Sequence, residues 1–126
     1  HSSSGTIIAI DHTIIAAQSS GLDCQVGSVI SGTFNLNKDG TCNGSGFTRF
    51  SGFSLPPLAD NGGPTKTHAL IPGLTGAGHE AIDAGSTNCN ISLDQRGKTR
   101  PVDYPGIAPD GTAHCDIGAF EVLPPL

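Results

Sequence analysis

The chain has 126 residues, which predicts one domain, and only 13% of them are charged while 36% are hydrophobic. Its formal net charge is -5 and its 6 Lys and Arg residues are scattered, so the charge pattern excludes a nucleic-acid or anionic-membrane partner. No apolar run approaches the ~20 residues that span a bilayer, which argues against membrane insertion. The 18 Gly and 9 Pro residues, with short Ile and Val runs, predict an all-β chain rich in tight turns.

The first part of the chain predicts pairs of short strands separated by tight bends. Residues 6–10 and 13–16 are β-branched runs, and the gap between them is too short for a helical crossover. Residues 29–30 and 34–36 form a second pair of the same kind. Short strands joined by bends are typical of the flat faces of a β-solenoid.

An aromatic cluster follows. Three of the 5 phenylalanines lie close together as Phe47, Phe50 and Phe53. A spacing of three is helical, but the neighbouring Gly and Pro residues argue against a long helix. We expect this cluster to close the end of an apolar core, and the alternative is an aromatic platform that contacts sugar rings.

The second part of the chain predicts fewer strands. Residues 61–64 form a strong turn, residues 65–70 a strand, and residues 117–122 a last strand. Residues 86–114 are rich in Pro and small side chains and predict irregular structure.

The 4 cysteines predict disulfides, because no CxxC pair is present to support a zinc-ribbon or thioredoxin-like site. Three pairings are possible. We favour Cys24–Cys42 and Cys89–Cys115, because each pair brackets a turn-rich segment. Each bridge would add roughly 3 kcal/mol in the chain-entropy model. The alternative is four free buried thiols in a cytosolic protein, whereas disulfides indicate a secreted one.

Four phrases carry a family resemblance: LADNGGPTKTHAL (58–70), AIDAG (81–85), DQRG (94–97) and CDIGAFE (115–121). In this order they resemble the C-terminal segment of secreted bacterial right-handed parallel β-helix proteins of the choice-of-anchor, or CSLREA-type, group. The resemblance covers roughly residues 22–121.

The resemblance implies an all-β fold, the final coils of a right-handed parallel β-helix followed by an irregular, disulfide-bonded C-terminal cap. On this interpretation residues 1–126 form a single domain, with coils over residues 1–57 and a loop-rich cap over residues 58–126. A solenoid end exposes strand edges and a core, so a cap is physically required.

The same phrases contain the residues on which chemistry could depend: Asp60, His68, Asp83, Asp94, Arg96, Asp116 and Glu121. One interpretation is catalytic, because β-helix lyases and hydrolases use two or three acidic groups with an Arg or Lys. We favour a structural polar network that fixes the cap, and therefore assign no catalytic residue. Asp side chains in turns bind nearby backbone N–H groups, and Arg96 can hold a carboxylate by two parallel bonds. The network comprises Asp83, Asp94, Arg96 and Asp116.

No metal site and no cofactor are predicted. The 5 histidines lack the spacing of metal ligands, and no EF-hand or calcium-binding nonapeptide repeat is present. A calcium ion held by oxygens of the Asp-Gly turns is an alternative to the polar network.

These features predict an extracellular, non-enzymatic structural or adhesive protein of a bacterial surface or extracellular matrix. Its expected partners are itself or other surface proteins, since an open solenoid edge would let it stack into fibres. The alternative is a carbohydrate-binding or polysaccharide-degrading β-helix, either a lyase or a hydrolase. Acidic groups around Arg96 in an open groove would favour the enzyme, and an exposed row of Phe47, Phe50 and Phe53 would favour sugar binding.

Overall fold

The protein is described by a computed structural model over residues 7–16, 20–24, 29–42, 46–50, 55–72, 80–107 and 111–126. The chain divides into two compact units, His1–Ser51 and Gly52–Leu126. The first unit contains the strands, whereas the second is built almost entirely from turns and irregular segments.

Five short strands form two parallel sheets in the first unit. Strand β1 (Ile7–Ala9) pairs with β3 (Val29–Ser31), and β2 (Ile14–Ile15), β4 (Asn35–Asn37) and β5 (Phe47–Arg49) form a sheet in the order β2-β4-β5. All three pairings are parallel, and β1 with β3 and β2 with β4 pair strands that are not consecutive in the chain. Four of the five strands, β1, β2, β3 and β5, begin with a β-branched or aromatic residue, which favours extended backbone, whereas β4 is Asn-Leu-Asn.

The central strand β4 is buried on both faces and carries two amide side chains. Asn35 and Asn37 are each 1% exposed, and Leu36 between them is 3% exposed. A buried amide is costly unless it is hydrogen-bonded. The Asn35 Oδ1 accepts the N–H of Thr13 at 3.0 Å, and its Nδ2 donates to the carbonyl of Ile10 at 2.7 Å. Asn35 therefore completes the backbone pairing of the bend before β2.

Two glycines stack closely where the chain bends. Gly46 has φ 85°, and a Cβ there would lie 1.9 Å from the carbonyl oxygen of Gly32. A Cβ on Gly32 would in turn lie 1.7 Å from the carbonyl oxygen of Ile10. Only glycine permits this approach of successive bends.

A disulfide and two carboxylates fix the loops of the first unit. Cys24 is bonded to Cys42. The backbone N–H of Asp23 donates to Asp39 at 2.8 Å, and that of Asp39 donates back to Asp23 at 3.0 Å. Although desolvation raises it, hydrogen bonds from the Thr41 hydroxyl and from backbone N–H groups lower the pKa of Asp39 to about 2.

The second unit contains two isolated antiparallel bridges, Ala59 with Thr67 and Leu93 with Thr99. The strand predicted over residues 65–70 is therefore reduced to one bridge. The strand predicted over residues 117–122 is absent from this described segment, because its backbone N–H groups bond to side chains and to a turn carbonyl instead. The apolar core of this unit is small and comprises Leu70, Ala81, Ile82, Ile107, Ile117 and Val122.

The prediction of a multi-coil right-handed parallel β-helix is wrong. The described residues contain strands of only two or three residues in small open sheets, and no helix. A solenoid needs strands of matched length stacked coil after coil. Here the strand-forming runs end at β5. In the Gly- and Pro-rich remainder, backbone N–H groups form hydrogen bonds with side chains instead of with neighbouring strands.

Candidate functional site

The polar centre of the second unit is Asp116, which is 0% exposed. Its Oδ1 accepts the backbone N–H of Asp83 at 2.7 Å, and its Oδ2 accepts that of Val122 at 2.6 Å. The preceding residue, Cys115, is held by its disulfide to Cys89. The Asp116 carboxylate thus joins its own segment to the segment around Asp83, which lies 33 residues earlier in the sequence.

Glu121 is the second fully buried carboxylate. Its Oε1 accepts the backbone N–H of Val102 at 2.8 Å, and its Oε2 accepts that of Asp116 at 3.0 Å. The same Oε2 lies 3.2 Å from Nε of Arg100, whose side chain is 3% exposed. Burial of this carboxylate is thereby compensated by two N–H donors and one guanidinium.

The Arg100 guanidinium also binds the backbone. One terminal nitrogen donates to the carbonyl of Asp116, and the other donates to the carbonyl of Gly118 at 3.2 Å. Arg100 therefore binds the segment 116–121 at three points: the carbonyls of Asp116 and Gly118 and the side chain of Glu121. A planar guanidinium with five donors suits this role better than an ammonium group.

Asp94 organises a tight turn of residues 94–98. Its Oδ1 accepts the N–H groups of Arg96 at 2.8 Å and Lys98 at 2.9 Å. Its Oδ2 reaches out of the turn and accepts the N–H of Glu121 at 3.0 Å. The carboxylate satisfies donors that a strand ladder would otherwise pair.

Arg96 closes over this turn. Its Nε and one terminal nitrogen both contact Asp94 Oδ2, at 2.9 and 2.7 Å. The sequence predicted two parallel bonds to a carboxylate, but Asp94 Oδ1 is occupied by backbone donors, so both contacts converge on one oxygen. The guanidinium also donates to the carbonyl of Glu121 and lies 3.6 Å from the Phe120 ring centre, a cation–π contact.

Asp83 completes the set and has a left-handed backbone, with φ 51°. Its Oδ2 accepts the N–H of Tyr104 at 2.9 Å, while its own N–H donates to Asp116. Asp tolerates this conformation better than most residues. We call this set the buried polar network: Asp83, Asp94, Arg96, Arg100, Asp116 and Glu121.

The buried polar network contains four carboxyl groups and two guanidinium groups, and burial has the largest influence on the pKa values of Asp94, Asp116 and Glu121. Burial, together with the charges of Glu121 and Asp83, raises the pKa of Asp116 from 3.8 to about 7, against the backbone hydrogen bonds that lower it. Burial also raises the pKa of Glu121. Burial alone would raise the pKa of Asp94. Hydrogen bonds from backbone N–H groups and from Arg96 outweigh it and hold the pKa of that carboxyl below its usual range.

This arrangement is suited to holding backbone rather than to acting on a substrate. A general acid or base must come within hydrogen-bond reach of the reacting group. Asp116 and Glu121 are fully buried, and each of their oxygens accepts a backbone N–H of this chain. Within the described ranges, no group of three or more His, Cys, Asp or Glu side chains is placed to hold a metal ion, and the calcium alternative stays a prediction.

The structure brings together all four residues that the sequence assigned to a network, Asp83, Asp94, Arg96 and Asp116, in two linked parts. The link is Glu121, which bonds to both parts through its backbone and side chain. Glu121 lies in the CDIGAFE phrase, but the sequence does not assign it to the network. Arg100 was missed, although an Arg between polar residues and a Pro, in a chain with few cations, is an unusual feature.

Two other residues of the matched phrases lie apart from this set. Asp60 is exposed, and its Oδ1 accepts the N–H of Gly62 at 3.1 Å within a turn. His68 is exposed, and its Nδ1 lies 2.6 Å from the carbonyl of Pro56. Asp60 therefore stabilises a local turn, whereas His68 joins two segments that lie 12 residues apart in the sequence.

The alternative of an aromatic platform for sugar rings is not supported by the two phenylalanines of this cluster that the structure describes. Phe47 is half-buried on β5, and Phe50 is 0% exposed. Phe53 lies outside the described residues. A fully buried ring offers no face to a sugar, so Phe50 belongs to the core.

The cysteines form two disulfides, Cys24–Cys42 and Cys89–Cys115, which is the pairing favoured from the sequence. Disulfides persist in oxidising compartments, so the pair of bridges is consistent with an extracellular protein. No helix in the described ranges is long and apolar enough to cross a membrane.

A polar cleft of about 310 Å³ opens beside the second disulfide. It is lined by residues 87–92 with Arg100 and Pro101. The carbonyl of Ser92 accepts the N–H of Arg100 at 3.0 Å, so the two walls of the cleft are joined at its base.

Comparison with known proteins adds no family: no protein-family model, no curated protein and no solved structure matches this chain. The resemblance to the choice-of-anchor group therefore stays a prediction.

Proposed function

We propose that this protein is a non-enzymatic structural or adhesive domain that acts outside the cell, at a surface or in an extracellular matrix. The observation that carries the proposal is the use of the buried polar network. Its carboxylates and guanidinium groups bind the chain's own backbone, so they stabilise an irregular fold and leave no acid–base pair for a substrate.

The two disulfides support the extracellular part of the proposal. A unit with few strands and a small apolar core gains little from burial, and small secreted domains commonly compensate with disulfides. The bridges of this chain fall in both units. Such stabilisation suits a domain that must persist without chaperones or a reducing pool.

Exposed apolar side chains support contacts with other macromolecules. The second unit leaves several large apolar residues at least 43% exposed: Leu58, Ile71, Ile91, Leu93 and Leu123. In addition, the outer edges of β2 and β5 carry backbone groups that no described strand pairs. Exposed apolar groups and unpaired strand edges both favour association with further chains.

Particle size measured by gel filtration with light scattering and negative-stain microscopy tests the proposal. We expect reversible self-association of the disulfide-bonded protein that rises with concentration. The double variant Leu58→Ser, Leu123→Ser should associate less, whereas Thr65→Ser, an exposed control in the same unit, should not differ from the parent. Turnover of a polysaccharide that is lost in Asp116→Asn would contradict the non-enzymatic proposal.

A further inference from the structure

We propose that the polar cleft formed by residues 87–92, Arg100 and Pro101 binds one neutral sugar ring. This inference goes beyond the proposed structural function, since it gives the second unit a ligand of defined chemistry. Its volume of about 310 Å³ lies at the small end of the roughly 300–1,000 Å³ typical of small-molecule sites.

The cleft presents neutral polar groups. Its lining contains a single charged residue, Arg100, whose guanidinium is bonded to Glu121 and to two backbone carbonyls and is therefore turned away from a ligand. The remaining polar lining consists of hydroxyl and amide side chains on Thr87, Asn88, Asn90 and Ser92. Groups of this kind match the hydroxyls of an uncharged sugar and offer no ion pair to an acidic or basic ligand.

The polar groups of the cleft are accessible. Thr87, Asn88, Asn90 and Ser92 are all exposed. Among the described contacts, the Asn90 amide and the Ser92 hydroxyl bond to no other group of this unit, so both can bond to a ligand. Ile91 between them is 62% exposed and adds an apolar surface against which the C–H face of a sugar can pack.

The base of the cleft is held in place. The Cys89–Cys115 disulfide anchors one wall next to the fully buried Asp116, and the buried side chain of Arg100 anchors the other. Asn88 Oδ1 accepts the N–H of Asn90 at 3.2 Å, which fixes the bend at Asn90, where φ is 59°. Preorganised polar groups lose less conformational entropy on binding, which favours recognition of a small ligand.

A titration followed by amide NMR tests this inference with the intact, disulfide-bonded protein. Glucose, galactose and N-acetylglucosamine are added separately up to about 50 mM, since a single ring in a shallow cleft is expected to bind with a dissociation constant on the order of 1 mM. At least one of these sugars should shift the amide signals of residues 87–92 and Arg100. The absence of shifts with all three, or shifts located elsewhere, would overturn the proposal. So would binding of glucuronate alone.

Two variants test whether Ser92 and Asn90 bind the sugar. Ser92→Ala removes the hydroxyl without touching the backbone bond to Arg100, and Asn90→Gly removes the amide while permitting positive φ. Each should weaken binding roughly fivefold, the effect of one lost hydrogen bond. Thr48→Ala, an exposed hydroxyl on β5, is the matched control and should leave binding unchanged. Unaltered affinity in Ser92→Ala would contradict the site even if Asn90→Gly folds poorly. Self-association is a separate readout, so this proposal and the structural function can fail independently.

Discussion

Glu121 and Asp116 support each other's backbone: Glu121 Oε2 accepts the N–H of Asp116 at 3.0 Å, and Asp116 Oδ2 accepts the N–H of Val122 at 2.6 Å. Each carboxylate thus fixes the chain next to the other. The pair replaces the ladder of a strand over residues 117–122. Loss of the Asp116 carboxylate would leave the N–H groups of Asp83 and Val122 unpaired, and loss of the Glu121 carboxylate would leave those of Val102 and Asp116 unpaired. The region is therefore sensitive to small chemical changes.

Glu121→Gln should destabilise the second unit by roughly 3 kcal/mol, because it leaves the buried Arg100 without its counter-charge and turns an amide N–H toward backbone donors. Urea unfolding followed by the fluorescence of Tyr104, the single Tyr in a chain without Trp, measures the effect. Asp103→Asn, at an exposed position, is the matched control and should change stability by less than about 0.5 kcal/mol. An unchanged urea midpoint for Glu121→Gln would contradict a structural role of the ion pair.

Stability of the second unit should fall as pH rises from about 3.8 to about 7, the window between the ordinary pKa of Asp116 and its raised pKa in the folded protein. Folding raises the pKa of Asp116. Its contribution to stability is therefore complete below the ordinary pKa of 3.8 and is lost as the pH rises through the folded pKa of about 7. The full shift corresponds to about 4 kcal/mol at most. Glu121, whose pKa is also raised, acts in the same direction.

Asp94 acts in the opposite direction: its pKa is lowered, so its contribution is present above 3.8 and is lost as pH falls further. The unfolding free energy should therefore peak in mild acid, and urea midpoints from pH 3 to pH 8, compared with those of Asp116→Asn, test this. The urea midpoint of Asp116→Asn should fall less steeply above pH 4 than that of the parent. The variant is also less stable overall, because one buried N–H loses its acceptor. Identical pH profiles would rule out Asp116 as the source.

Gly46→Ala should destabilise the first unit by roughly 2–4 kcal/mol, because the new Cβ would combine a left-handed backbone with a clash 1.9 Å from the Gly32 carbonyl oxygen. Thermal unfolding and the hydrogen exchange of the Asn35 amide measure the loss. Gly21→Ala is the matched control, since Gly21 has φ 107° but no atom within 4 Å of its added Cβ. Equal losses in the two variants would mean that backbone strain alone, without the clash, governs the bend.

Removal of the Cys89–Cys115 bridge by Cys89→Ser, Cys115→Ser should cost about 3 kcal/mol in the chain-entropy model, since the bridge closes a loop with a sequence separation of 26. The Tyr104 fluorescence midpoint in urea reports the change. The parent protein treated with reductant, which also opens Cys24–Cys42, should unfold at a midpoint no higher than that of the variant. A midpoint like that of the oxidised parent would show that the noncovalent contacts of Cys115 are sufficient.

The sequence predicted local features better than it predicted architecture. The β-branched runs at Ile7–Ala9 and Ile14–Ile15 form strands because extended backbone suits their side chains locally. The disulfide pairing followed from turn-rich segments between neighbouring cysteines. The β-helix prediction failed because it depended on how many coils follow one another, and no short run of residues encodes that.

The network illustrates the same limit. Asp83, Asp94, Arg96 and Asp116 could be selected because Asp in turn-rich phrases binds backbone N–H groups. Glu121 and Arg100 could not, because their roles depend largely on contacts across 16 to 27 residues that only the folded chain brings together. Likewise, a spacing of three among phenylalanines does not reveal that Phe50 is fully buried.

The bond between the Asp83 N–H and Asp116, 33 residues away, has a consequence for the order in which the chain acquires structure. When a polypeptide emerges from the ribosome or an export channel, early segments become available before late ones. The N–H groups of Asp83 and Val102 obtain their acceptors only once residues 116–122 have emerged, because Asp116 and Glu121 supply them. We therefore expect the second unit to form late, after closure of a long loop, whereas the short parallel pairings of the first unit can form while the chain is still being delivered.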